Sequence, residues 1–343
     1  MVNRILWSLL ACVALALPAL AAGPSYQLAQ KYVLGGAGGW DYLTYDASGK
    51  RLYIPRGTHV MVVDPSKGSV VGDVPGTAGV HGVAIATDLN KGFTSNGRDN
   101  SVTVFDLTTL QPITTVKTPG RNPDAIVYDP TSKRVFTFVA GPPAIVAIDA
   151  RTNALIGALP IGGKPEFATV DGRGTLYLNV EDTSQMIAGD TLQSQIKATW
   201  ALKPCEEPSG MAIDARSHRV FVGCSNKMLA VINGDNGGLV ATVSIGAGSD
   251  AIGFDPGTNL VFSSNGGDGT LTVIHEDSPD KYSVVGNPAT QAGARTLAVD
   301  PGTHNVYLVS AEFDITPTPV PSGQPRRTLR PGTFTLLVMS PTK

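Results

Sequence analysis

The stretch DAIVYDPTSKRVFTF at residues 124–138 decides the fold. It reads as a short apolar run, the acid Asp129, a polar turn and a second apolar run carrying Phe136. DYLTYDASGKRLYI (41–54), GMAIDARSHRVFVG (210–223), AIGFDPGTNLVFSS (251–264) and TLAVDPGTHNVYLV (296–309) overlay on it without a gap, each with an acid seven residues before an aromatic. VAIATDLNKGFTS (83–95) and FATVDGRGTLYLN (167–179) drift only within the turn, at Asp88 and Asp171. The aromatics Tyr53, Phe93, Phe136, Tyr177, Phe221, Phe262 and Tyr307 therefore recur every 40 to 45 residues. A period of that length marks a repeat architecture.

Around each aromatic the grammar is an inner strand, a turn rich in Asp, Pro, Gly and Ser, and a second strand. A third strand such as VMVVD (60–64), VTVFD (102–106) or AIVAID (144–149) follows, then a fourth such as SVVGDV (69–74) or PITTVK (112–117). Helical periodicity is nowhere sustained. The pattern predicts an all-β fold, a seven-bladed β-propeller of four-stranded antiparallel blades. The last repeat has no room for a fourth strand, and YQLAQKYVLGG (26–36) supplies it from the other end, closing the ring without a bare sheet edge.

Residues 1–21 read as a signal peptide: Arg4 precedes the apolar ILWSLLACVALALPAL, and ALA at 19–21 offers small residues for cleavage. The run of about 16 uncharged residues falls short of the roughly 20 that a membrane helix needs. Residues 22–343 are expected to form one domain, periplasmic or secreted, with no transmembrane segment after cleavage. Losing Arg4 takes the formal net charge from −2 to −3, and only 16% of residues are charged. Without a basic stripe, double-stranded nucleic acid is not an expected partner. Cys205 and Cys224 remain after cleavage, at the start and end of antiparallel strands in blade five, and in an oxidising compartment they are expected to form a disulfide.

Inner strands of a propeller start at the rim of the central channel. At that register stand Asp41, His81, Asp124, Glu166, Ser209, Asp250 and Arg295. Two readings of this ring stand, a hydrated funnel or a ligand site. Hard cations accept carboxylate oxygen and transition metals accept imidazole, so two or three of Asp41, His81, Asp124, Glu166 and Asp250 form a candidate site for a divalent metal ion, with His81, Asp124 and Glu166 foremost. Loops from second to third strands would add Asn96, Asn179, Glu181 and Asn265 to the rim, and KPCEEPSG (203–210) would bring Glu207 beside Cys205. The same Asn and Gly residues also read as plain β-turns. Asp64, Asp106, Asp149 and Asp190, which end third strands, read as turn formers. The Pro-rich insertion at 313–331, FDITPTPVPSGQPRRTLRP, is expected to exclude regular secondary structure and to carry Arg326, Arg327 and Arg330, either as a lid over the acidic rim or as a surface insertion without a role.

The repeats PDAIVYDPTSKRVF (123–136), PSGMAIDARSHRVFV (208–222) and LTVIHEDSPDKYSVV (271–285) resemble those of the YncE-like, YVTN-repeat β-propellers of bacterial envelopes. FTSN (93–96) and FSSN (262–265) stand where the literal tetrapeptide would be. The resemblance spans nearly the whole chain after residue 21 and implies an exported binding protein without established catalysis; a small polar ligand or an envelope protein is the expected partner, and a monomer the expected state. The alternative is a metal-dependent hydrolase. Glu166, Asn179, Asn265 and Asp250 are similar to the ion-binding set of propeller lactonases, with His81 as a base. G-x-S-x-G, H-E-x-x-H and C-x-x-C-H motifs are absent.

Overall fold

In the second and third strands of most repeats the apolar residues run consecutively instead of alternating, which demands cover on both faces of the sheet. The computed structural model, which describes residues 24–316 and 326–342, supplies that cover by stacking seven four-stranded antiparallel sheets around an axis. Blades one to six occupy residues 44–74, 80–117, 121–160, 165–201, 208–244 and 249–286. Blade seven takes Leu297–Asp300, Asn305–Ser310 and Thr335–Pro341 and is completed at its outer edge by Tyr26–Val33. Among the described residues the only helical element is a 3-10 turn at Thr87–Leu89, where the Asp88 repeat drifts. The expected signal segment lies outside the described residues.

The seven repeat aromatics are all buried, each at 3% exposure or less. Tyr53 meets Phe105 of the next blade at 5.9 Å between ring centres, and Phe221 meets Phe254 at 5.3 Å. The inner-strand acids hold the turns. Asp46 Oδ1 accepts the backbone N–H and the hydroxyl of Ser48, and Asp255 and Asp300 accept the N–H groups of Gly257 and Gly302. Asp64, Asp106, Asp149 and Asp190 likewise accept backbone N–H groups two residues on.

Cys205 and Cys224 form a disulfide, both buried, with Cα atoms 5.4 Å apart and a sequence separation of 19. Closing a loop of that length contributes about 3 kcal/mol by restricting the unfolded chain.

Two features were not foreseen. The flanks of the Pro-rich insertion do form regular structure: Phe313–Thr316 pairs antiparallel with Arg326–Leu329. These tetrapeptides contain no proline, so every N–H of the ladder is available. Residues 317–325, which hold four of the prolines, and the side chains of Arg326 and Arg327 lie outside the described residues. Arg330 binds Glu312 and Asp314 of its own insertion and does not reach the acidic rim.

The second feature is Arg56, at the end of blade one's second strand. Its guanidinium is 1% exposed and lies 3.5 Å from the centre of the Phe334 ring. It donates to the carbonyls of Gly35, Gly36, Ala37, Gly38 and Gly39, the glycine-rich link between the N-terminal strand and blade one. Burial pushes its pKa down to about 10, which leaves it protonated at neutral pH. Gly38, at φ +98, permits the wrap, because a Cβ there would lie 2.3 Å from the Arg56 carbonyl oxygen.

Candidate functional site at the channel mouth

Inner strands deliver the rim residues through a shared local irregularity. The pairing register slips between Val80 and Val83, Pro123 and Ile126, Pro165 and Ala168, Pro208 and Met211, and Ser249 and Ala251. His81, Asp124, Glu166, Ser209 and Asp250 lie in these slips. A bulge frees a residue from the ladder and re-aims its side chain, and at this register the free direction is the channel.

The side chains then meet in a string of alternating sign. Arg295 Nε lies 2.7 Å from Asp250 and its Nη2 3.5 Å from Asp41. His81 Nδ1 sits 2.7 Å from Asp41 Oδ2 and 3.6 Å from Asp124 Oδ1. Blades six, seven, one, two and three are thus linked as carboxylate, guanidinium, carboxylate, imidazole, carboxylate. In blade four Lys164 bridges Glu166 and Glu181. Ser209 breaks the ring at blade five, where its hydroxyl donates to the Ser249 carbonyl.

Tyr42 crosses the channel. Its hydroxyl donates to Glu166 Oε1 over 3.2 Å and its ring packs edge-on to Phe167 at 5.0 Å. Blades one and four stand three places apart in a ring of seven, so this contact spans the axis. Burial and the surrounding carboxylates raise the Tyr42 pKa well above its ordinary value, so the phenol stays a donor.

Negative charge is in excess here. Burial pushes Asp124 up to about 6, aided by Asp41 and Asp250 and opposed by His81 and Lys164. Burial, then the charge of Asp124, pushes Glu166 up to about 7 against the pull of Lys164. Burial also raises Asp250 despite Arg295. For His81 burial works toward a lower value, but the Asp41 bond and the Asp124 charge prevail and raise it.

These shifts carry a testable sign. A carboxyl that holds its proton more tightly folded than unfolded adds stability below its ordinary value near 4.5 and loses it as pH rises through about 7. Glu166→Gln removes that loss, on the order of 2 kcal/mol at pH 8. Melting temperatures from pH 5 to pH 8 should fall several degrees less in Glu166→Gln than in the native protein. Parallel curves would show that Glu166 ionises without cost.

Some expected rim residues are placed elsewhere. Asn96, Asn179 and Asn265 are fully buried. Asn96 bonds Thr94, Ser101 and Thr103, Asn265 bonds Ser263, Thr270 and Thr272, and the Asn179 amide donates to the Ser209 carbonyl. They brace the blades, with the amides of Asn96 and Asn265 taken up by hydroxyls inside them. Glu207 is exposed at φ 43 and its N–H donates to Ser184, apart from the charged string. Among the described residues the close trio of metal-type ligands is Asp41, His81 and Asp124, all within 4.8 Å of one another. It includes Asp41 in place of Glu166, which stands one blade further round with Lys164.

Fold and site together define a seven-bladed β-propeller with a charged channel mouth. The chain is similar in structure to one in the crystal structure of a mitotic checkpoint complex, with a TM-score of 0.72 and 16% identity over 90% of this chain and 96% of that one. It is also similar to a chain of Kuenenia stuttgartiensis hydrazine synthase, with a TM-score of 0.70 and 16% identity over 80% of this chain and 94% of that one. These likenesses concern the fold alone. No family model and no curated protein matches the sequence.

Proposed function

We propose that the protein is an exported binding protein whose channel mouth captures a small polar ligand of positive charge. The observation that carries this reading is the unequal charge of the mouth: Asp41, Asp124, Glu166, Glu181 and Asp250 are paired with His81, Lys164 and Arg295, and Arg98 is a further cation bordering the cleft beside Asp41 and His81. A cation entering there relieves repulsion that burial makes expensive. The bulged inner strands form the walls and Tyr42 forms a bar beneath, so the groups are held in place before a ligand arrives. Export is supported by the leader-like start of the sequence and by a disulfide suited to an oxidising compartment. The resemblance to YVTN-repeat envelope propellers points the same way.

Calorimetric titration with 1,4-diaminobutane, divalent metal ions and citrate tests the reading. At least one cation should bind, and Asp124→Asn combined with Glu166→Gln should weaken it at least tenfold without lowering the melting temperature. Preference for citrate, or cation binding untouched by the double substitution, would refute it.

A further inference from the structure

We infer that Asp41, His81 and Asp124 form a site for a divalent transition metal ion, a deepening that rests on the cation-binding reading above. Three consecutive blades each contribute one ligand at the same register. With metal–ligand bonds of about 2.1 Å, neighbouring ligand atoms stand roughly 3 to 3.4 Å apart. The separations from His81 Nδ1 to the two carboxylates, 2.7 and 3.6 Å, bracket that range.

The imidazole is oriented for the task from behind. Asn122 Oδ1 stands on the Nε2 side of the ring, beside that nitrogen. An acceptor at Nε2 keeps that nitrogen protonated and turns Nδ1 toward the ligand position, the arrangement found around metal-ligating histidines. Gly97 leaves room for it: a Cβ there would fall 2.4 Å from Asn122 Oδ1 and 2.7 Å from His81 Nε2. The ion takes the place of the proton that Nδ1 shares with Asp41, and that proton leaves to solvent.

Charge and access agree. Two carboxylates and a neutral imidazole match a divalent ion, while Arg295 engages Asp41 through Oδ1 and leaves Oδ2 to the site. Beside the trio a cleft of about 480 Å³, bordered by Trp40, Gly39, Gly57, Gly79 and the cationic Arg98, opens to solvent and leaves coordination positions free for water or an anionic donor on a captured molecule. Mixed imidazole and carboxylate donors favour zinc, cobalt, manganese or iron(II) over magnesium and calcium, which take oxygen alone.

The experiment uses chelator-treated full-length protein dialysed against Zn²⁺, Co²⁺, Mn²⁺, Mg²⁺ or Ca²⁺, with bound metal measured by mass spectrometry. One ion per chain is expected with Zn²⁺ or Co²⁺ and none with Mg²⁺. The Co²⁺ form should show visible absorption that His81→Gln abolishes. Asn122→Ala, at an exposed position of left-handed backbone (φ 52) that alanine tolerates less well than asparagine, should weaken Zn²⁺ about 10- to 100-fold with only a small fall in melting temperature, and Asn122→Asp should restore it. No retained ion, a preference for Mg²⁺ or Ca²⁺, or equal Zn²⁺ affinity in His81→Gln would overturn the site. Binding of 1,4-diaminobutane without any metal uptake would overturn this inference and leave the broader reading standing; failure of both would end both.

Discussion

Arg56→Ala is expected to lower the melting temperature by about 6 °C, a destabilisation of about 4 kcal/mol in a chain of this length. The side chain is buried with no carboxylate partner among the described residues, and five backbone carbonyls share its charge. Truncation leaves those carbonyls facing each other without a donor, each costing on the order of 1 kcal/mol or more unless water enters. Two controls separate the causes. Arg56→Met keeps an apolar stem against Phe334 and loses every donor. Arg56→Lys keeps the charge but has three donors in place of the planar five. Both should remain well below the native protein in calorimetry, and a Met variant as stable as the native one would refute the role of the carbonyl cradle.

Tyr26→Ala should loosen the ring at its seam. Tyr26–Val33 is an edge strand whose side chains are nearly all exposed, with Tyr26 alone buried, at 5%. Its ring meets Phe262 of blade six edge-on at 5.0 Å, and its hydroxyl donates to the His304 carbonyl over 2.8 Å. The rest of the strand is held by the backbone ladder to Thr335–Pro341, from Tyr26 opposite Pro341 to Val33 opposite Thr335, with Tyr32 half-buried and donating to the Ser66 carbonyl and Lys31 donating to Gln291. Removing a buried aromatic costs about 3 to 5 kcal/mol. Amide exchange should therefore show residues 27–33 and 335–340 losing protection well before the inner strands of other blades. Tyr26→Phe forfeits only the hydroxyl bond, about 1 kcal/mol. Uniform loss of protection around the whole ring would mean that the seam does not open by itself.

The repeat was legible because Phe136 and its six equivalents sit in strands covered on both faces, where the same solution must recur in every blade. Asp41, His81 and Asp124 could be gathered for the same reason, since equal register implies equal position around the axis. Tyr42 and Arg56 were not legible. Their partners, Glu166 and the carbonyls of residues 35–39, are fixed by the way the ring closes, and no local pattern announces a contact across the channel or a guanidinium wrapped by backbone. Asn96 and Asn265 were misplaced because S-N-G reads as a turn. A signal was present: a hydroxyl residue follows each at five and again at seven positions on, Ser101 and Thr103 or Thr270 and Thr272, which is the polar ladder that holds them inside. Arg330 could be read as part of a lid over the rim or as part of a surface insertion, and the sequence did not announce that Glu312 and Asp314 of its own ribbon would hold it.

The bond from Tyr42 to Glu166 sets a rule of traffic. A solute passing between the two faces of the torus would have to displace the phenol from Glu166, so under the proposed binding role arrival and departure are expected to share one doorway.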